Sequence, residues 1–328
     1  MTSGHDMTGY QRLYKDEAME REDEFLYKYK GIYLYSNASS PESIDSLDTF
    51  EIRDDDIFII TYPKSGTIWT QNIVSLILHE GHRDETENIT LLDRAPWLEY
   101  NLLHVDFISR PSPRLFTSHL PYYLVPKGLR SRRAKVGHIL LTCEIIYVLR
   151  NPKDILVSSY HFNNTNNNNK DFSTFFEKFL AGKVLCGSWL DHVEGWYAHK
   201  SNFNILFLFY EEMKKDLRSS VLKICNFLGR ELTEKEVDDV VDKAALNNMK
   251  VDSRTNYRFL FTDKMVLRKR IFLRKGTVGD WKNTMTVAQS EKFDHVFKER
   301  MEKLPFEFCW DIQEDPKPIS SSVEENNV

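Results

Sequence analysis

Three short apolar runs, each followed by a helical pattern, constrain the fold of this chain most strongly. The runs are rich in β-branched and aromatic residues, and they cover residues 57–60, 145–149 and 205–209. Runs of this kind are typical of strands buried on both faces of a parallel sheet. The helical patterns cover residues 68–79, 154–161 and 216–228. We therefore predict an α/β fold, in which helices flank a central parallel sheet and ligands bind at the carboxyl ends of its strands.

The two ends of the chain lack this pattern. Residues 1–27 are polar and show no periodicity, and residues 313–328 are rich in Pro, Ser, Glu and Asn. A chain of 328 residues, 41% of them hydrophobic, is long enough for one large core. We predict a flexible extension over residues 1–27, a single domain over residues 28–312 and a disordered tail over residues 313–328.

Charge and cysteine content exclude several classes of protein. The net charge of −5 disfavours a nucleic acid or an anionic membrane as partner. No apolar run approaches the roughly 18 residues that cross a bilayer, and the polar start does not resemble a signal peptide. The four cysteines are widely spaced, without the spacing of a zinc site. We expect a cytoplasmic protein.

The turn after the first apolar run has the features of a phosphate-binding loop. Residues 61–69 read Thr-Tyr-Pro-Lys-Ser-Gly-Thr-Ile-Trp. Gly66 lets the backbone approach an anion, Thr67 opens a helix whose N-terminus attracts negative charge, and Lys64 adds a cation. The ATP-binding P-loop has its lysine after the glycine, unlike this turn. The residues favour a nucleotide other than ATP with magnesium; an ATP-dependent small-molecule kinase and a simple turn remain alternatives.

This loop resembles the 5′-phosphosulfate loop of the cytosolic sulfotransferases, usually Tyr-Pro-Lys-Ser-Gly-Thr-x-Trp. Residues 150–162 are similar to the family's 3′-phosphate segment, and residues 274–282 resemble its C-terminal donor-binding signature. The resemblance covers roughly residues 30–312. It implies a P-loop-like phosphosulfate-binding loop, PAPS as co-substrate and PAP as product. A sulfuryl group carries less charge than a phosphoryl group, so we expect a lysine to suffice and no metal to be needed.

The resemblance assigns donor-binding roles to several segments. The implied residues are Lys64, Ser65, Gly66, Thr67, Ile68, Trp69, Arg150, Ser158, Tyr210, Arg274, Lys275 and Gly276. An arginine at a strand end can form two hydrogen bonds to one phosphate, which suits Arg150 for the 3′-phosphate. Trp69 and Tyr210 correspond to positions near the adenine and ribose, although Trp69 equally suits the core.

The same resemblance makes His119, Lys64 and Ser158 the catalytic residues. His119 would remove the acceptor proton, for which a side chain with an ordinary pKa of about 6.5 is suited. Outside this family, a histidine before Leu-Pro is usually structural. Lys64 would stabilise the charge that develops on the leaving oxygen. Thr117 stands where many phenol-type members have a lysine.

The acceptor is expected to be a small molecule, either an arylamine, a phenol or an alcohol. Several stretches look closest to the amine sulfotransferase branch, namely residues 51–56, 110–116, 118–124 and 216–225. That branch acts on arylamines and cyclic amines. Trp97, Tyr160 and Phe162 are candidate aromatics of the acceptor pocket, with an ordinary core role as the alternative.

Two departures from the family pattern favour a further hypothesis. Residues 244–246 read Ala-Ala-Leu where the family often has hydroxyl and aromatic residues that contact the adenine. Residues 136–144 look like extra sequence before the second apolar run. Either feature can weaken donor binding, which leaves a catalytically weakened nucleotide-binding homologue as an alternative.

A short motif near the C-terminus predicts a homodimer. Lys282, Thr286, Val287 and Glu291 match the family's dimerisation pattern, Lys-x-x-x-Thr-Val-x-x-x-Glu. The alternative is the exposed start of a helix.

Overall fold

The computed structural model describes residues 25–79, 89–101, 106–131, 143–164, 171–257 and 272–311. The fold starts with an antiparallel hairpin of strands β1 (Leu26–Tyr29) and β2 (Ile32–Tyr35). Strand β1 thus includes the last two residues of the predicted extension 1–27. Residues 1–24, the tail 313–328 and most of the extra stretch 136–144 lie outside the described residues, so the domain limits stay a prediction.

A four-stranded parallel sheet forms the centre of the molecule. It contains β3 (Ile57–Thr61), β4 (Leu115–Ser118), β5 (Glu144–Leu149) and β6 (Asn204–Phe209), in the order β4-β3-β5-β6. All residues of β3 and β4 are buried, as expected for a sheet covered on both faces. The predicted α/β fold is confirmed. The sequence analysis did not predict β4, because its four residues, Leu-Phe-Thr-Ser, include two hydroxyls and form no apolar run.

Helices cover the sheet, and sixteen described segments are helical when the 3₁₀ turns are counted. The α-helices are α1 (Pro41–Ser46), α2 (Thr67–His79), α3 (Leu91–Arg94), α4 (Lys127–Ser131), α5 (Pro152–Asn164), α6 (Phe172–Leu180), α7 (Trp189–Ala198), α8 (Tyr210–Lys215), α9 (Leu217–Phe227), α10 (Glu234–Ala244), α11 (Leu246–Val251) and α12 (Val287–Met301). The 3₁₀ turns are Leu47–Thr49, Tyr122–Leu124, Lys200–Asn202 and Asp280–Asn283. The three predicted strand–helix pairs correspond to β3–α2, β5–α5 and β6–α9. No described helix is long and apolar enough to cross a membrane.

A buried ion pair joins the amino ends of β3 and β4. The guanidinium of Arg114 donates from Nε to Oδ1 of Asp56 at 2.7 Å and from Nη2 to Oδ2 at 2.5 Å. Both side chains are almost fully buried. A third hydrogen bond runs from Arg114 to the carbonyl of Glu51. A buried pair of this kind is tolerated because each charge has several partners, and it fixes where the two strands start relative to each other.

The parallel arrangement brings the carboxyl ends of all four strands to one edge of the sheet. The residues that follow the strands are Tyr62, His119, Arg150 and Tyr210. In open α/β sheets this edge is where ligands bind. The fold therefore places three of the predicted site residues together, although they are far apart in sequence.

Candidate active site

A cavity of about 1210 Å³ opens at this edge of the sheet. It exceeds the usual size of a pocket for one small ligand, which suits a site for two substrates. Every residue predicted to bind the donor or to act in catalysis lines it except Ser65, which is buried within the loop itself. The lining residues are Lys64, Gly66, Thr67, Ile68, Trp69, His119, Arg150, Ser158, Tyr210, Arg274, Lys275 and Gly276.

The loop between β3 and α2 has a tightly constrained backbone. Gly66 has a φ of +100°, and a Cβ at this position would lie 2.6 Å from Cδ2 of Tyr210. Only glycine fits such a conformation and such a close approach. The hydroxyls of Thr61 and Thr67 lie 2.6 Å apart and join the strand end to the helix start. The hydroxyl of Ser65 is buried and has no hydrogen-bond partner in the described part of the chain.

Arg150, at the end of β5, connects this loop to the C-terminal part of the site. Its guanidinium donates to the carbonyl of Lys64 at 2.8 Å and to that of Thr277 at 3.3 Å. The guanidinium also lies over the ring of Tyr210, 4.2 Å from the ring centre. Its Nε is buried and has no partner among the described residues. Arg150 thus contacts three parts of the cavity wall, at Lys64, Thr277 and Tyr210, and its Nε–H remains available to a ligand.

The segment at residues 274–276 adds two cations and a glycine to the cavity wall. Arg274 and Lys275 both contact Asp280, at 2.6 Å and 2.8 Å. Burial raises the pKa of Asp280, but hydrogen bonds from Lys275 and Arg274 outweigh it and hold that pKa below its usual range. Gly276 has a φ of +70°, and a Cβ there would lie 1.9 Å from Cδ2 of Leu246. The carboxylate of Asp280 thus holds both cations next to Gly276, whose backbone packs closely against Leu246.

His119 is held by four hydrogen bonds, one of them between its Nδ1 and the hydroxyl of Thr61 at 3.1 Å. Its Nδ1 lies 2.7 Å from the carbonyl oxygen of Thr61, and its backbone N–H donates to Oε1 of Glu99 at 2.6 Å. Its own carbonyl accepts a bond from Nε2 of His192 at 3.1 Å. A carbonyl only accepts, so the proton of His119 is on Nδ1 and the lone pair is on Nε2. This is the tautomer of a base that acts through Nε2.

The comparisons with known proteins agree with this geometry. A family model described as "Sulfotransferase domain" matches residues 54–305. An amine sulfotransferase of Oryctolagus cuniculus is 50% identical over 302 residues, which are 90% of this chain and 97% of that protein. Sulfotransferase 2B1 of Mus musculus is 44% identical over 88% of this chain and 84% of that protein. The chain belongs to the sulfotransferase family.

Solved structures of sulfotransferases share this fold. Mouse sulfotransferase SULT7A1 complexed with PAP is 34% identical and has a TM-score of 0.69, over 85% of this chain and 96% of that chain. Retinol dehydratase with androsterone and PAP has a TM-score of 0.72 at 21% identity, over 86% and 90% of the two chains, which shows the fold alone. The predicted family and fold are confirmed. In the described residues, no group of His, Cys, Asp and Glu side chains is arranged to hold a metal ion.

In this sulfotransferase Trp69 belongs both to the core and to the cavity wall. Its indole donates to the carbonyl of Ala244 at 2.8 Å, and its ring packs edge-on against Tyr210. The side chain is almost fully buried but still lines the cavity. Leu246, which follows the altered Ala-Ala pair, lines the same cavity. The two alternatives for Trp69 are therefore compatible.

The candidate acceptor aromatics divide into two groups. Trp97 and Phe162 line the cavity, Trp97 with its ring centre 4.5 Å from that of His119. The ammonium of Lys64 lies 4.1 Å from the ring centre of Phe162. Tyr160 does not line this cavity; it packs against Phe172 and Phe175 and accepts a bond from Asn164. Of the two alternatives for Tyr160, these contacts favour the core role, because Tyr160 faces α6.

Glu99 is a cavity residue that the sequence analysis missed. It is only 2% exposed, and burial raises the pKa of its carboxyl group to about 7. The available signal was the position of this glutamate between Trp97, Leu98 and Tyr100. A charged residue in such an apolar stretch is rarely buried without a partner, which makes it a candidate for a functional role.

Burial, with a smaller electrostatic effect of His192 and Lys64, lowers the pKa of His119 to about 3, although the hydrogen bond to the carbonyl of Thr61 acts in the opposite direction. We therefore expect the ring to remain neutral, with the proton on Nδ1, from about pH 5 to 8. Nitrogen chemical shifts measured by NMR, assigned by comparison with His119→Ala, test this. Titration of the assigned ring near the ordinary value of about 6.5 would contradict the prediction.

Proposed function

We propose that this sulfotransferase transfers a sulfuryl group from PAPS to a small, flat amine by in-line displacement, with His119 as general base. The observation that carries this proposal is the neutral His119, with its lone pair on Nε2, in one cavity with a phosphate-binding loop. The PAP found in the structure of mouse SULT7A1, which is 34% identical, supports the donor.

The donor site fits a ligand with two anionic ends. The 5′-phosphosulfate, the first anionic end, fits the loop of Lys64, Ser65, Gly66 and Thr67. There the N–H groups at the start of α2 and the Ser65 hydroxyl, which has no partner among the described residues, can donate to it. The 3′-phosphate, the second anionic end, fits the unused Nε of Arg150 and the cations of the 274–276 segment. Ser158 lines the cavity from α5 and adds a hydroxyl. Ile68, Trp69 and Tyr210 pack around the nucleoside.

The chemistry needs positioning and charge stabilisation rather than a covalent intermediate. The acceptor nitrogen attacks sulfur, and the bond from sulfur to the oxygen of the 5′-phosphate breaks in line with it. Nε2 of His119 takes the proton that the nitrogen loses. Lys64 stabilises the charge that develops on the leaving oxygen, and Ser158 helps to hold the donor by donating to its 3′-phosphate beside Arg150.

Support for an amine acceptor comes from the position that carries lysine in phenol-type members. Here Thr117 is buried; its hydroxyl donates to the carbonyl of Ala95 and accepts from Gln71. No cation occupies this position to stabilise a phenolate. An arylamine is neutral and needs no such cation. The 50% identity to an amine sulfotransferase and the aromatic wall of Trp97 and Phe162 favour the same acceptor class.

Calorimetry of nucleotide binding, followed by an assay of sulfate transfer, separates the candidate functions. We expect PAP to bind, ATP with magnesium to bind far more weakly, and sulfate transfer from PAPS to be faster with naphthylamine than with naphthol. Binding of ATP without binding of PAP would indicate a kinase. Binding of PAP without turnover on any amine, phenol or alcohol would indicate the catalytically weakened homologue. Transfer to naphthol alone would leave PAPS-dependent transfer intact and reject the amine acceptor.

The role of His119 has its own test. We expect His119→Ala to lower kcat by at least about 100-fold, the usual scale of general-base catalysis, with the PAP dissociation constant nearly unchanged. The matched control is His199→Ala, because His199 stacks on Tyr122 and does not line the cavity. Loss of PAP binding in His119→Ala, or full turnover in that variant, contradicts the assignment.

We further propose a homodimer through Lys282, Thr286, Val287 and Glu291. Thr286 caps α12, and Val287 is 75% exposed at the start of that helix. Lys282, five residues before Val287, forms an ion pair with Asp311. An exposed valine at a capped helix start suits burial against a second copy. Val287→Glu is expected to convert a dimer into a monomer in sedimentation velocity; an unchanged mass rejects this interface. The cytoplasmic location stays a prediction.

A further inference from the structure

Glu99 is a buried carboxylate beside the proposed base, and one of its two oxygens has no hydrogen-bond partner among the described residues. Its Oε1 accepts the backbone N–H of His119 at 2.6 Å, and the hydroxyl of Ser118 also donates to the carboxylate. Its Oε2 is buried and has no hydrogen-bond partner in the described part of the chain. The residue lines the same cavity as His119 and Trp97. An unpartnered buried carboxylate oxygen is costly and calls for an explanation.

The groups that face Glu99 in the described structure are uncharged at neutral pH. They are His119, Ser118, Tyr100 and Cys186. Burial raises the pKa of the Tyr100 hydroxyl and of the Cys186 thiol, and it lowers that of His119, so all three stay neutral. Among the residues that the structure describes, no cation faces Glu99. A cation supplied by the acceptor is the group that its charge would attract.

The protons of the reaction supply a reason for a second acceptor group. A secondary alkylamine is an ammonium ion, R₂NH₂⁺, at neutral pH. Forming the N–S bond and breaking the S–O bond to the 5′-phosphate gives R₂N–SO₃⁻ and PAP, and the nitrogen loses both of its protons. One must leave before attack, to free the lone pair, and one as the N–S bond forms. His119 has a single lone pair and takes one proton.

We propose that Glu99 is the second proton acceptor of this site, which binds a protonated secondary amine and takes the first of its two protons. The carboxylate pairs with the ammonium, accepts one proton and leaves a neutral amine; the amine then attacks sulfur and gives its remaining proton to Nε2 of His119. This inference rests on the proposed amine sulfotransferase function.

Two isomeric acceptors test the inference. Tetrahydroquinoline is an arylamine and neutral at neutral pH, whereas tetrahydroisoquinoline has the same size and shape and is protonated. We expect Glu99→Gln to lower kcat/KM for tetrahydroisoquinoline about tenfold or more, while tetrahydroquinoline changes only a few-fold. The amide can still accept the N–H of His119, so the proposed base keeps its position. Turnover of the neutral isomer also reports that the variant is folded.

The matched control is Glu211→Gln. Glu211 is also buried; its Oε1 accepts the N–H of Asn151 at 2.8 Å, and its Oε2 is unpartnered among the described residues. Burial raises its pKa to about 7 as well, but it does not line the cavity. We expect this variant to change both isomers by the same factor. An equal loss for both isomers in Glu99→Gln would show that Glu99 only positions His119, and no loss in either would leave it without a role.

The wild-type enzyme gives a second measurement. If Glu99 accepts the first proton, kcat/KM for tetrahydroisoquinoline rises with pH up to about 7, where Glu99 becomes ionised, and is level above it. If the enzyme instead takes free amine from solution, kcat/KM rises about tenfold per pH unit up to the pKa of the amine itself, which overturns the inference. Failure of the proposed function is distinct, because wild-type enzyme would then transfer sulfate to neither isomer.

Discussion

The parallel pairing of β3 with both β4 and β5 is the constraint on which the site depends. Ile60 pairs with Ser118 on one side and with Tyr147 on the other, so the three strands end at nearly the same level. The end of β3 then becomes a common point of contact: the carbonyl of Thr61 accepts from His119, and that of Lys64 accepts from Arg150. The same short stretch of backbone thus positions both His119, the proposed base, and Arg150, which is proposed to bind the 3′-phosphate. At the opposite end of the strands, the buried Asp56–Arg114 pair prevents a shift of register.

In the part of the chain that the structure describes, several buried polar groups without hydrogen-bond partners lie around this edge. Ser65 and Arg150 border the donor loop, and Glu99 and Glu211 each hold the N–H of a residue that leaves a strand, His119 or Asn151. Each such group costs about 1–3 kcal/mol when it stays unpaired. That cost is acceptable where a charged ligand supplies the missing partner. For Arg150 and Glu99, which line the cavity, and for Ser65 in its donor loop, the unpartnered groups mark where the folded chain gives up stability for binding; Glu211 does not line the cavity, so its cost has no such explanation.

The sequence predicted most of what is local and little of what depends on tertiary contacts. The strands at residues 57–60, 145–149 and 205–209 were predicted because their apolar runs are continuous, and the loop at 61–69 because its residues are adjacent. Strand β4 was missed, since its pattern is too short to read. The contact between His119 and Thr61 spans 58 positions and follows only from the strand order. Burial of Glu99 and the turn of Tyr160 towards α6 depend likewise on packing that no single sequence pattern describes.

The charges of the acceptor side differ from what a phenol would require. A phenol must lose a proton to become an effective nucleophile, and a nearby cation favours the resulting anion. Here the position of that cation is Thr117, a neutral residue already engaged with Ala95 and Gln71. An amine has the opposite requirement, because a protonated nitrogen has no lone pair until a base removes a proton. A carboxylate beside the histidine meets that requirement, and Glu99 is in that position. Under the proposed amine function, a neutral residue at position 117 and a carboxyl group beside the histidine therefore both favour a nitrogen acceptor over an oxygen acceptor.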